Sequence, residues 1–275
     1  MKNLMATTTA ALAVSAALMP ASAVAQSPGA QLPGAWQFQA TIYGYFPKLD
    51  IKAGLPNGAT VDQSIDANTL IDHLKMVFMG TFEAQKGDWG AFTDIIYMNV
   101  GGAQGKVNDF TLGSTPIPAG VSVNASADVK AVVWTLAGTY RALTGPDGTL
   151  DVLLGARLLD VTSNQTYTLA GNVGPIPPQQ RTGSGEIKAS NWDAIVGVKG
   201  RVALGADRKW FVPYYLDVGT GESKLTWQAM SGVGYAFSWG DIVATWRYMD
   251  WENKSGKPLL DLSLNGPALA ATFRW

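Results

Sequence analysis

From Trp36 onward the chain runs in segments of about ten residues in which apolar and polar side chains alternate. Beyond residue 26 no stretch approaches the roughly 20 apolar residues that a spanning helix requires. If the chain crosses a membrane it must therefore do so on strands. Strands are satisfied in lipid only when the sheet closes on itself, because a free edge leaves backbone groups without partners. The alternation is clean where it can be followed. Leu150, Val152, Leu154, Ala156 and Leu158 share one face of a segment whose other face carries Asp151, Gly155 and Arg157. Trp192, Ala194, Val196 and Val198 oppose Asp193, Gly197, Lys199 and Arg201. Leu225, Trp227, Ala229, Val233, Tyr235 and Phe237 oppose Thr226, Gln228, Gly232 and Gly234. An apolar face toward lipid and a polar, glycine-bearing face toward a lumen fit this pattern.

The periodicity predicts strands over 36–46, 74–85, 89–100, 128–142, 149–161, 191–204, 209–219, 223–237, 241–251 and 260–275. The fold class expected is all-β: a transmembrane, antiparallel, up-and-down barrel of about ten strands, eight and twelve being the neighbouring solutions. The connections alternate in kind. Lys86-Gly87-Asp88, Thr144 to Gly148, Gly205-Ala206-Asp207 and Ser238-Trp239-Gly240 are short and turn-like. The polar stretches 47–73, 101–127 and 162–190 are long, and are expected as surface loops. Thr115-Pro116-Ile117-Pro118 and Gly174-Pro175-Ile176-Pro177 form a weak repeat within two of them.

Residues 1–25 are expected to be a cleaved signal peptide, leaving 26–275 as the barrel domain. Lys2 supplies the positive start, Ala10 to Met19 the apolar run and Ala23-Val24-Ala25 the small-residue cleavage site, with Ala21-Ser22-Ala23 as the alternative. Only 15% of residues are charged, against about 25% in soluble domains. The net charge of -1 offers no basic stripe for a nucleic acid. With no cysteine, disulfides, thiolate zinc sites, a Cys nucleophile and a lipid-anchored N-terminus are excluded. Trp89, Tyr97, Trp192, Trp210, Trp239 and Trp246 fall near strand ends, where amphipathic rings would sit at a membrane–water interface.

At the end of the chain Leu269, Ala271, Phe273 and Trp275 alternate on one face. The stretches 80–100, 225–251 and 264–275 resemble small proteobacterial outer-membrane β-barrel proteins of OmpA-like or porin-like architecture. The resemblance implies that Phe273 and Trp275 are an assembly signal read by the barrel-assembly machinery, that the partner is outer-membrane lipid, and that the location is the bacterial outer membrane. It carries no catalytic motif, and no cofactor is implied.

His73 is the single histidine, preceded by Asp72 with Ser64 and Asp66 upstream. Adjacent residues of an extended segment point to opposite faces, so Asp72 would orient His73 poorly. One histidine without cysteine cannot build a usual zinc site. Lys75, Glu83, Asp94, Lys130, Asp151, Arg157, Asp193, Lys199, Arg201, Asp217, Arg247 and Arg274 are assigned to the inward face. Acids and bases are similar in number there, which suits either an ion-paired interior or a charge-lined pore. About eight strands leave room only for side chains, and ten lie near that end of the range. The function expected is non-enzymatic: a structural barrel or narrow passive channel. A surface binding or adhesion module acting through 101–127 and 162–190 is the alternative, and a hydrolase centred on His73 the third reading.

Overall fold

A computed structural model describes residues 35–54, 59–112, 115–116, 121–171 and 179–275. The expected signal peptide lies outside the described residues, as do Ile117-Pro118 and Gly174 to Pro177 of the repeat. The elements in order are β1 (Trp36–Tyr45), β2 (Lys48–Gly54), β3 (Ala59–Ile65), α1 (Ala67–Asp72), β4 (Leu74–Lys86), β5 (Trp89–Leu112), β6 (Thr115–Pro116), β7 (Val121–Gly145), β8 (Gly148–Gly171), β9 (Gln179–Leu204), β10 (Trp210–Gly221), β11 (Ser223–Ala236), β12 (Gly240–Asn253) and β13 (Leu259–Arg274).

Ten of the strands form a closed ring in the order β1-β4-β5-β7-β8-β9-β10-β11-β12-β13, with β13 returning to β1 and every pair antiparallel. Closure runs from Gln39↔Arg274 to Tyr45↔Ala268. At the seam Phe38 and Trp275 exchange backbone hydrogen bonds of 2.9 and 3.1 Å. The short turns and both ends of the ring lie together at one end, called lower here. At Gly87 the first lower turn takes φ 59°, a left-handed conformation that costs glycine nothing sterically.

The ten strands expected from the sequence are present, but the stretches expected as long loops are mostly strand. β5 and β7 stay paired beyond the bulge at Val100/Ala103, β7 and β8 pair up to Val121↔Gly171, and β8 and β9 up to Gly171↔Gln179. The stretch 47–73 holds β2, β3 and α1. β2 stays on β13 after Phe46-Pro47, and β3 joins β2 to the upper part of β5. At the upper end, therefore, β2 and β3 replace β1 and β4 in the wall.

This upper wall inverts the polarity of the lower one. Around the lower barrel the outward residues are apolar, as at Val152, Leu154, Val196 and Leu216, each at least 40% exposed. Above Leu158 and Trp192 the outward positions of β8 and β9 are Asp160, Thr162, Asn164, Thr166, Glu186, Lys188 and Ser190. The inward ones include Leu159, Val161 and Ile187, packed in one buried cluster with Leu49, Ile65, Val129, Trp251 and Leu264, with Ser163 and Gln165 buried among them. Lower strands have the pattern of a barrel in lipid, and upper strands that of a barrel in water.

Candidate functional site

The lower lumen is where the sequence concentrates buried charge. Arg157 on β8 is fully buried, and both of its terminal nitrogens donate to the Asp217 carboxylate of β10, one at 3.0 Å. Its Nε reaches Thr135 at 3.3 Å. From β12, Arg247 donates Nη2 to Asp94 of β5 at 2.6 Å and Nη1 to the Tyr43 hydroxyl at 3.0 Å. Tyr43 in turn donates to Asp94 at 2.7 Å, and Thr81 does so at 2.9 Å. Between the two ion pairs stands Gln228 on β11, whose Oε1 accepts from Arg157 and from Arg247, each at 3.1 Å. One continuous layer thus crosses the lumen.

The layer carries two guanidinium and two carboxylate groups, so its formal charge is zero. Desolvating four ions is costly, and pairing each charge with its neighbours offsets much of that cost. Gln228 supplies a shared acceptor without adding charge, while the buried Arg247 Nε is left without a hydrogen-bond partner.

Further ion pairs fill the space below. Lys199 contacts Glu83 at 2.6 Å and stands 4.7 Å from the Phe92 ring centroid. Arg141 forks onto Asp151 at 2.7 and 3.1 Å. At the lower mouth Asp241 is shared by Arg274 and, at 3.8 Å, by Arg201. Above the layer, Asp193 accepts from the Ser223 backbone N–H at 2.8 Å, beside a buried Asn191, Ser223 and Asn253 cluster that Lys257 joins.

Ten of the twelve charges assigned to the lumen are placed inside: Glu83, Asp94, Asp151, Arg157, Asp193, Lys199, Arg201, Asp217, Arg247 and Arg274. Lys75 and Lys130 are outside, which corrects their assignment. A register shift between Leu74 and Met76 turns Lys75 outward, where it meets Asp128 at 3.6 Å. Lys130 sits between the buried inward Val129 and Ala131. Both lie where wall polarity has inverted, so a charge there marks the outer face.

Sequence reasoning missed Tyr43, Thr81, Arg141, Gln228 and Asp241. Gln228 was legible as a polar residue on the charged face of its strand, but its bridging role depends on two partners from distant segments. The aromatics form two belts on the outer face. Trp89, Trp210 and Trp239 belong to the lower one, with the contacts Trp89–Tyr140 and Trp239–Phe273. Trp192 and Trp246 belong to the upper one, with the contacts Trp134–Trp192 and Trp227–Tyr248. Tyr97 also faces outward, opposite Phe78. Trp275 stacks on Phe38 at 6.1 Å.

His73 ends α1. Its Nδ1 lies 2.9 Å from the Thr69 carbonyl, and its backbone N–H donates to the same oxygen. Among the described residues no group of three or more His, Cys, Asp or Glu is arranged to hold a metal ion.

No family model matches the chain, and no curated protein matches it by sequence. In structure it is similar to the outer membrane protease OmpT from Escherichia coli, with a TM-score of 0.55 and 7% identity over 89% of this chain and 99% of that one. It is also similar to the translocator domain of autotransporter NalP from Neisseria meningitidis, with a TM-score of 0.37 and 12% identity over 89% of this chain and 90% of that one. For the attachment invasion locus protein Ail of Yersinia pestis the TM-score is 0.30 and the identity 10%, over 89% of this chain and all of the other. The likeness to OmpT is one of fold, that of an outer-membrane β-barrel.

Proposed function

We propose that the protein is a non-enzymatic barrel of the bacterial outer membrane, closed to free conduction, which carries a water-exposed upper wall on a lipid-embedded base. The carrying observation is the Gln228 bridge, through which two buried ion pairs become one layer across the lumen. An ion entering from the lower mouth would have to break charge-assisted bonds to pass. The alternating Phe273 and Trp275 at the closing strand fit insertion by the barrel-assembly machinery. His73 has its ring engaged with the carbonyl of its own helix, which supports a capping role over a catalytic one.

Conductance of the refolded chain in planar bilayers tests the proposal, with heat-modifiable gel mobility as the folding control. A folded, silent barrel is the expected result. Discrete conductance steps whose size changes in Arg247→Gln would overturn closure and make the charges a pore lining. A binding role of the upper wall is favoured by its polar outward face on β8 and β9. It predicts that removing 101–127 or 162–190 abolishes surface binding while the lower barrel still folds.

A further inference from the structure

Above the upper aromatic belt one strand of the wall has lost its neighbour. β10 pairs with β9 only as far as Gly221↔Asp193, whereas β8 stays on the other side of β9 up to Gly171↔Gln179. Among the described residues no strand pairs with 182–191 of β9 on the side that β10 has left. Successive residues of a strand direct their backbone groups to opposite sides. The Trp192 carbonyl is turned to the β10 side, where it accepts from the Glu222 N–H at 3.0 Å. The register of β8 on β9 is unbroken above it. Thr182, Ser184, Glu186, Lys188 and Ser190 therefore present their N–H and C=O groups to the open side. Such an edge is a template for another strand.

The edge carries two opposite charges on its outer face. Glu186 and Lys188 are 3.0 Å apart, with side chains 49% and 67% exposed, and among the described residues neither has another ion-pair partner. A contact between exposed neighbours of this kind contributes little. Directly opposite them on β8 stand Asn164 and Thr162, which are uncharged, and Asp160 lies opposite Ser190.

The inner face is small and apolar. Gly183 and Gly185 bring no side chain, and the Tyr167 ring fills the space over Gly183, where a Cβ would come within 2.3 Å of it. Next to them Ile187 is buried in the upper apolar cluster and Ala189 packs against it. The connection from β8 offers no strand of its own to this edge: it holds Pro175, Pro177 and Pro178, which lack the N–H that a ladder needs.

We infer that 182–190 of β9 is a docking edge for an extended segment of another protein, which adds to the wall as an antiparallel strand in line with β10. Main-chain hydrogen bonds to the even-numbered residues hold it, and its side chains set the register. An antiparallel partner meets Lys188 before Glu186, so the segment carries an acid two residues before a base. Apolar residues between and beside them face inward over Ile187 and Ala189. The inference deepens the binding role of the upper wall proposed above and rests on its exposure to water.

The test uses the full refolded chain in nanodiscs, with amide exchange followed by NMR. The probe is a synthetic peptide with the sequence of residues 182–191, in which Glu186-Ile187-Lys188 supplies the acid and the base in that order. In the free chain the N–H groups of Thr182, Ser184, Glu186, Lys188 and Ser190 should exchange fast, and those of Gly183, Gly185, Ile187 and Ala189 slowly. Saturating peptide should protect the first set. A peptide with its Glu and Lys exchanged should bind about tenfold more weakly, and the chain carrying Glu186→Lys with Lys188→Glu should reverse that preference. Ser184→Pro removes one N–H from the open side and none from the β8 ladder, so it should fold and lose the peptide.

Protection of the even-numbered set before peptide is added would overturn the open edge. An open edge that the peptide does not protect, or a preference unmoved by the charge exchange, would overturn the docking site and leave the wall in water. A soluble gadolinium chelate should broaden the amide signals of 182–190 and spare those of Val196 and Val198. If it broadens both sets alike, or neither, the membrane placement falls and the docking edge with it.

Discussion

The lower and upper halves of this barrel are built from the same strands with the same two-residue period and opposite polarity. Along β8 the inward series runs Asp151, Leu153, Gly155, Arg157 and then Leu159 and Val161, while the outward series runs Val152, Leu154, Ala156, Leu158 and then Asp160 and Thr162. The outer solvent sets the outward series in each half. The inward series then follows from register: a strand fixes its pairing strongly only when its two faces differ, since a slip of one residue exchanges them. An apolar interior below would have made the lower strands apolar on both faces. The halves should also cohere by different forces. Above, water outside makes apolar burial favourable at about 25 cal/mol per Å². Below, lipid outside removes that gain, and the interior is held by the backbone ladder, by ion pairs and by a small buried cluster of Phe92, Ala137, Leu153, Ile195 and Tyr215.

The largest effect should come from the lower half. Arg247→Ala leaves Asp94 buried without its partner, and loss of one member of a buried pair costs about 3–5 kcal/mol. Urea unfolding of the refolded barrel measures it. The double change Asp94→Leu with Arg247→Met should recover most of the loss. If it recovers none, the layer stabilises by more than charge matching. In the upper half, Leu159→Ala removes a fully buried side chain from the apolar cluster and should cost about 2–5 kcal/mol. Leu158→Ala, one residue away and outward at the belt, should cost far less. Equal costs would mean that the upper interior is not a packed core.

The same comparison can be broken from outside. Leu154 is 70% exposed in the middle of the lower band, and Leu154→Arg should cost about 2–4 kcal/mol, as a cation at a bilayer midplane does. Asn164→Arg, outward on the same strand above the belt, should be nearly neutral. Near-neutrality at both positions would remove the lipid band altogether.

How much of this was legible follows from where polarity inverts. All ten ring strands could be read from alternation, because lower strands meet lipid and lumen on opposite faces. The upward continuations of β5 and β8 were read as loops, since at 160–168 the polar residues also occupy the outward face and residues such as Gly101, Gly102, Ser163 and Asn164 resemble loop composition. One rule, charge means inward, was applied to both halves. It placed Arg157, Arg247 and eight other charges and failed for Lys75 and Lys130. The Gln228 bridge was out of reach because it depends on β8 and β12 facing one another across the lumen, which no local pattern encodes. That pairing between β1 and β4 ends at Ile42↔Gly80 was equally hidden, since the residues concerned lie more than thirty positions apart.

The smallest effect concerns an acid on the outer face of the upper half, where water should keep carboxylates ionised. Asp250, one outward position above Tyr248, departs from that expectation: partial burial raises its pKa, with Asp261 and Glu252 adding to the rise and the Tyr248 hydroxyl bond at 3.0 Å opposing it. A carboxyl whose folded pKa is raised favours the folded state most when protonated. Its contribution therefore declines as pH rises from the unfolded value near 3.9 through the folded one, and is constant above that. Asp250→Asn keeps an acceptor for Tyr248 and removes the titration. The variant should be slightly more stable than the parent at pH 7, and the difference should vanish at about pH 3, below both pKa values. Unfolding midpoints at the two pH values decide it. A variant less stable at pH 7 would mean that the charged form of the Tyr248 bond outweighs the burial of the carboxylate, and that this part of the upper outer face is stabilised electrostatically, as the lumen below is.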